Sequence, residues 1–167
     1  DGLIKRGDDP DEMVKTFATA ISKSIAERPE DMVITTHMCR GNFQSTWMTQ
    51  GGYEPVAELM FDNLINDGFF MEYDTERAGD FEPLRFAHED QHIVLGLISS
   101  KVAQLENKDQ IKRQIEKATN YIPIDRLSLS PQCGFSSTHH GNNLTLDDQK
   151  RKLELLVQIA IDIWGEI

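Results

Sequence analysis

Four side chains in this sequence are of types that bind soft metals: His37, Cys39, Glu72 and Cys133. An imidazole, two thiols and a carboxylate make a coherent zinc set, because thiolate sulfur favours Zn over Mg or Ca. The bonds to expect are about 2.3 Å to S, about 2.0–2.1 Å to N and about 2.0–2.2 Å to O. A zinc finger gathers its ligands from close local pairs, whereas these are scattered, as a catalytic site assembled from separate elements requires. A thiol substrate bound to the same metal would lose its proton; free, its pKa near 8.5 keeps it mostly protonated and weakly nucleophilic at neutral pH. Residue types and spacing alone leave alternatives open. A buried Cys is commonly an inert small hydrophobe, and Glu72 would serve equally as a helix cap or as a partner for Arg77.

Residues so far apart meet only if regular elements carry them to one place. Residues 10–27 put Met13, Val14, Phe17, Ala20, Ile21 and Ile25 on one helical face, with Pro10 in the first turn and Pro29 as a stop. The β-branched run Met32–Thr36 predicts a buried strand that leads directly into His37 and Cys39. Glu54–Asp67 reads as the next helix, Phe69–Tyr73 as a strand, and Asp74–Asp90 as a polar loop. His92–Ile98 is a third strand, residues 108–120 a helix, and Leu127–Ser130 a fourth, weaker strand. The loop Pro131–Asn143 leads to a final helix over Thr145–Trp164, where Thr145 and Asp148 form a capping box with Asp in place of the usual Glu or Gln.

Strands alternating with helices predict an α/β fold with a parallel sheet and right-handed crossovers. Four strands are half of a (β/α)₈ TIM barrel, which takes about 250 residues when complete. The expectation is therefore a half-barrel over residues 1–167, with the other half of the barrel absent. In such folds chemistry gathers at the C-terminal ends of the strands. His37 and Cys39 lie at the first exit with i, i+2 spacing, which turns both to one side of an extended segment. Glu72 ends the second strand, and Cys133 follows the fourth behind Pro131.

Other candidates surround these exits. Asp74 stands two residues beyond Glu72 and can face the same rim as a substrate or supporting group. Ser99 and Ser100 at the third exit are further candidates for facing substrate, with no His–Asp partner to make a nucleophilic triad. Glu76, Arg77, Asp80 and Glu82 form a charged loop that either meets substrate or braces Glu72 and Tyr73. His139 and His140 read as exposed loop residues, His88 and His92 as structural, and Trp47 and Trp164 as packing residues. The pair Gly51-Gly52 has no phosphate-loop pattern around it.

Composition narrows the partners. The chain is 39% hydrophobic and 27% charged, as expected of a globular protein. Its net charge is −11, with 28 acidic against 17 basic residues, so a phosphate backbone would be repelled and no nucleic-acid partner is expected. No run approaches the roughly 20 apolar residues of a membrane span, and no cationic apolar leader opens the sequence, so no membrane partner is expected. Two cysteines are too few for a secreted disulfide scaffold and point to a reducing cytoplasm.

His37-Met38-Cys39, Phe70-Met71-Glu72 and Ser130-Pro131-Gln132-Cys133-Gly134 resemble the C-terminal barrel domain of the cobalamin-independent methionine synthase family. Five longer stretches resemble a short bacterial branch of single-barrel homologues: THMCRGNFQSTW, GGYEPVAE, EYDTERAGDFEPLRF, VLGLISSK and LSLSPQCGFSS. The resemblance runs from about Asp8 onward. It implies that His37, Cys39, Glu72 and Cys133 hold Zn2+, and that the zinc activates homocysteine to take a methyl group from a methylated folate, giving methionine. It also implies that this chain is the C-terminal half of the barrel. Two departures qualify the inference. The family's larger members carry an Asp and a proton-transferring His where this chain has Leu97-Ile98-Ser99-Ser100, which puts the ordinary folate donor in question. Their homocysteine-binding groups come largely from the first half of the barrel.

Two other functions therefore stay open. One is a zinc-dependent thiol alkyltransferase or carbon–sulfur lyase with a different donor. The other is a catalytically incomplete fragment that only binds zinc; its open sheet edges would favour self-association or pairing with the other half-barrel.

Overall fold

The computed structural model describes residues 2–165. Four strands, β1 (Thr35–Met38), β2 (Gly68–Glu72), β3 (His92–Ile98) and β4 (Leu127–Pro131), form one parallel sheet in the order β1-β2-β3-β4. Helices α1 (Gly2–Arg6) and α2 (Pro10–Ile25) precede β1, α3 (Ala57–Asn63) joins β1 to β2, 3₁₀ turns join β2 to β3, α4 (Lys108–Ala118) joins β3 to β4, and α5 (Leu146–Trp164) follows β4. The architecture is the expected α/β fold of four parallel strands alternating with helices.

The core lies between the sheet and the helices. Phe69, Met71, Ile93 and Leu95 are fully buried there, and Phe69 meets the Phe61 ring of α3 edge-on at a centroid distance of 5.0 Å. On the opposite face His37, Phe70, Val94 and Ser128 stand in register across all four strands. Phe70 remains 36% exposed there, so this second face is open where it carries the chemistry.

Several boundaries differ from the sequence expectation. β1 starts three residues later than the run at Met32, and Val33 is exposed. The residue ahead of β2 is the cause. Asp67 accepts the Ile34 N–H on its carboxylate at 2.6 Å and donates its own N–H to the Ile34 carbonyl at 2.9 Å, which starts the register at Thr35 opposite Gly68. α3 is shorter than Glu54–Asp67, and α1 was not anticipated. The polar loop contains 3₁₀ turns at Glu76–Ala78 and Glu82–Phe86 that bury Ala78, Phe81 and Leu84. In α2, capped by Asp9, Ala18 is buried while Phe17 and Ile21 of the predicted apolar face are exposed. The capping box of α5 is present in full, with Thr145 and Asp148 each accepting the other's backbone N–H. No helix among the described residues is long and apolar enough to cross a membrane.

Candidate metal centre

The parallel register sends every strand exit to the same edge of the sheet. β1 delivers His37 and, one residue beyond its end, Cys39. Arg40 fixes this exit. Its backbone N–H donates to Glu72 Oε2 at 2.6 Å, and its buried guanidinium reaches the Gly51 carbonyl at 2.6 Å and the Tyr53 hydroxyl at 3.1 Å. Tyr53 in turn donates to the Met38 carbonyl and accepts the Glu72 N–H, each at 2.8 Å. Arg40 and Tyr53 thus fasten the exits of β1 and β2 together. Sequence reasoning missed both, because neither residue type nor spacing announces a buried clamp.

One ligand atom each from His37, Cys39 and Cys133 lies within 4.8 Å of the other two. Cys133 Sγ is 3.3 Å from His37 Nε2, although 96 positions separate them. Tetrahedral zinc bonded at about 2.3 Å to sulfur and about 2.0 Å to nitrogen places neighbouring ligand atoms roughly 3.5–3.8 Å apart. The three donors are therefore spaced for one small cation, and two thiolates with an imidazole suit zinc. The Gly41 N–H donates to Cys39 Sγ at 3.4 Å, which orients that sulfur.

Electrostatics agree with that fit. Burial, then the neighbouring Cys39, pushes the Cys133 thiol up to about 12, so two adjacent thiolates are unfavourable without a cation between them. Burial also lowers the His37 pKa, with Glu72 opposing, so its imidazole is neutral and has a lone pair to offer. Both cysteines are free.

Glu72 lies outside this three-residue cluster. Arg77 holds its Oε1 at 2.6 Å, the Arg40 N–H holds Oε2, and Lys101 Nζ stands 3.5 Å from Oε1. Burial pushes its carboxyl up, and the Arg77 and Arg40 hydrogen bonds with the Lys101 charge outweigh that, leaving it below the ordinary value. The structure thus realises the pairing with Arg77 that the sequence left open. Asp74 has a buried side chain, and neither of its oxygens has a hydrogen-bond partner among the described residues; Arg77 Nη2 and Lys101 Nζ stand 3.6 and 3.8 Å away. Burial raises its pKa, with Lys101 opposing.

Asp74, Ser99, Arg77 and Lys101 line a cavity of about 360 Å³ beside Trp47, whose ring lies 4.5 Å from the Arg77 guanidinium. Ser100 is fully buried and meets no open surface. A second cavity of about 320 Å³ opens directly on His37, Phe70 and Cys133. His139 and His140 are exposed and stack on each other at 3.7 Å; His88 pairs with Asp62 at 3.0 Å, and His92 begins β3.

A parallel α/β sheet that gathers thiol and imidazole donors at its strand exits has the layout of α/β catalytic domains, whose sites lie at the C-terminal ends of the strands. The chain matches the family described as "Cobalamin-independent synthase, Catalytic domain" over residues 1–161, and it belongs to that family. It is 53% identical over 159 residues to the uncharacterized protein YxjG of Bacillus subtilis (strain 168), covering 95% of this chain and 42% of that protein. It is 50% identical over 159 residues to YxjH of the same organism, with the same coverage. The chain therefore spans less than half the length of the curated relatives it matches.

Two solved structures share the fold. One is a Listeria monocytogenes protein assigned to the vitamin-B12-independent methionine synthases, with TM-score 0.72, 39% identity, and coverage of 96% of this chain and 44% of that one. The other is a B12-independent methionine synthase from Shewanella sp. W3-18-1 in complex with selenomethionine, with TM-score 0.74, 16% identity, and coverage of 93% and 45%.

Proposed function

We propose that this chain carries the zinc-binding part of a methyltransferase that methylates the thiol of homocysteine from a methylated folate, giving methionine. Family membership supports methyl transfer in methionine synthesis. The convergence of His37, Cys39 and Cys133 on one point is the observation that carries the metal reading. Zinc bound there supplies a thiolate at neutral pH, a nucleophile that the free thiol provides poorly.

The protein's own residues do the rest. His37, Cys39 and Cys133 offer one nitrogen and two sulfurs, and Glu72 is the fourth ligand in this reading, drawn from its pairing with Arg77. Arg40 and Tyr53 keep the β1 and β2 exits at fixed separation. Asp74 and Ser99 line the cavity beside Trp47 and meet substrate in this reading, whereas the buried Ser100 bonds Gln132 and Asn42. The chain covers 42% of its relatives' length, so the proposal includes a substrate site completed by further polypeptide. Free cysteines suit a reducing compartment such as the cytoplasm.

Elemental analysis of the purified protein tests this reading, with about one zinc expected per site. Cys133→Ser should lose both the metal and the turnover of homocysteine. A Cys133→Ser protein with full zinc and full activity would remove the assignment.

The β3 exit favours a second reading of the donor. Leu97-Ile98-Ser99-Ser100 offers no imidazole to protonate a departing folate, so a thiol alkyltransferase or carbon–sulfur lyase with another donor fits the same metal. Supplying methylfolate, methylcobalamin and simple methyl donors in parallel separates the two, and robust transfer from methylfolate dismisses the second.

A further inference from the structure

Gln132 precedes Cys133 and is 1% exposed. Its backbone N–H donates to the Ile98 carbonyl at 2.7 Å, which ties the end of β4 to β3. Its side-chain Nε2 donates to Cys133 Sγ at 2.7 Å, and its Oε1 accepts the Ser100 hydroxyl at 3.1 Å. Ser100 Oγ accepts from Asn42 Nδ2 at 3.2 Å, and the Ser100 carbonyl accepts from Asn142 Nδ2 at 2.8 Å.

The direction of this chain follows from chemistry. A thiolate only accepts, so the NH₂ end of Gln132 must face sulfur and its carbonyl must face Ser100. The single hydroxyl proton of Ser100 is then spent on that carbonyl, which leaves its oxygen free to accept from Asn42. Asn42 therefore donates to Ser100, Ser100 to Gln132 and Gln132 to the Cys133 sulfur, with no donor facing a donor. Three strand exits contribute: the loop after β1, the end of β3 and the end of β4.

We propose that Gln132 is a positioning residue for the Cys133 sulfur, its amide held by Ser100 so that the N–H steadies Sγ and withdraws electron density from it. This rests on the metal reading above. Groups hydrogen-bonded to metal ligands orient them and tune the metal. A carboxylate of the same length in place of the amide presents lone pairs to the thiolate, and a hydrocarbon presents nothing. The arrangement also explains the full burial of Ser100: it acts on the sulfur from behind.

The test loads the full-length protein with Co2+, follows the sulfur-to-cobalt charge-transfer band, and measures Zn2+ affinity by competition with a chromophoric chelator. Gln132→Met should weaken zinc binding by roughly 10–100-fold and displace the band. Gln132→Glu, which keeps length and the Ser100 contact but turns a carboxylate oxygen towards the sulfur in place of the donor, should do at least as much. Ser100→Ala should move both readouts in the same direction by less. A purely structural residue would lower the melting temperature without displacing the band. Wild-type protein that shows the thiolate band, with Gln132→Met and Gln132→Glu both binding zinc within about twofold and the band unmoved, overturns the role of Gln132 alone. Wild-type protein that takes up no cobalt and no zinc overturns the metal reading, and this inference with it.

Discussion

Gly96 in β3 lies so close to Gln132 that a Cβ at Gly96 would stand 3.0 Å from Gln132 Cα and 2.8 Å from the Met71 carbonyl oxygen. Both neighbours are backbone atoms of adjoining strands, so neither can yield cheaply. Gly96→Ala should cost about 1–3 kcal/mol of stability through overpacking. Displacing Gln132 should also weaken metal binding, because its amide holds the Cys133 sulfur. Urea unfolding and a zinc titration on the same variant check the two effects together. A variant with wild-type midpoint and wild-type affinity would show that the strands can separate there freely.

Lys152 of α5 is fully buried, and its ammonium is held by both Glu106 oxygens at 2.8 and 3.1 Å and by the Gln104 carbonyl at 2.8 Å. Glu106 Oε1 also accepts the Ser99 N–H at 2.9 Å, so α5 secures the β3 exit through this pair. Lys152→Met should cost about 3–5 kcal/mol, because it strands a largely buried carboxylate. Adding Glu106→Gln should recover part of that loss. Denaturation midpoints of the two single variants and the double variant decide it, and simple additivity would contradict a paired role.

The start of α5 predicts a pH dependence. The Thr145 hydroxyl and backbone N–H, with Arg151 nearby, hold the Asp148 carboxyl at about 2, below its ordinary value of 3.8. A depressed carboxyl adds stability above its unfolded pKa, and that part drains away as pH falls from about 4 to about 2. Asp148→Asn should flatten the stability profile in that interval and leave its slope above pH 5 unchanged. Thr145→Ala should cost about 1 kcal/mol at neutral pH. Urea unfolding repeated from pH 6 to pH 2 tests both.

Zinc should stabilise the folded chain by mass action. At a free concentration 100 times its dissociation constant the gain is about 2.7 kcal/mol. The melting temperature should rise on loading and fall on treatment with a chelator, and Cys133→Ser should melt at the same temperature either way. An equal response of wild type and Cys133→Ser would place the ion elsewhere.

The fold was legible in the sequence because β-branched runs and helical spacing alternate from Met32 to Trp164, broken only by the polar loop Asp74–Asp90. His37, Cys39 and Cys133 stood out because their types are scarce and each follows a predicted strand. What was hidden depends on tertiary pairing. Lys152 sits in a run of charges that reads as a solvated helix face, yet Glu106 draws it into the core. Arg40, Tyr53 and Gln132 have ordinary types in ordinary places, and only the meeting of three strand exits gives them partners. The start of β1 was misplaced because a side chain 33 positions away, Asp67, decides where Ile34 enters the sheet.

The clustered donors come from the two outermost strands of the sheet, with β2 and β3 between them. During synthesis His37 and Cys39 emerge long before Cys133, and a chain that has made only its early strands holds two of the three clustered donors. In the proposed metal reading the donor set is complete only when β4 joins the sheet, a contact of high sequence separation. In that reading, an unfinished chain cannot yet gather a cation between its two sulfurs.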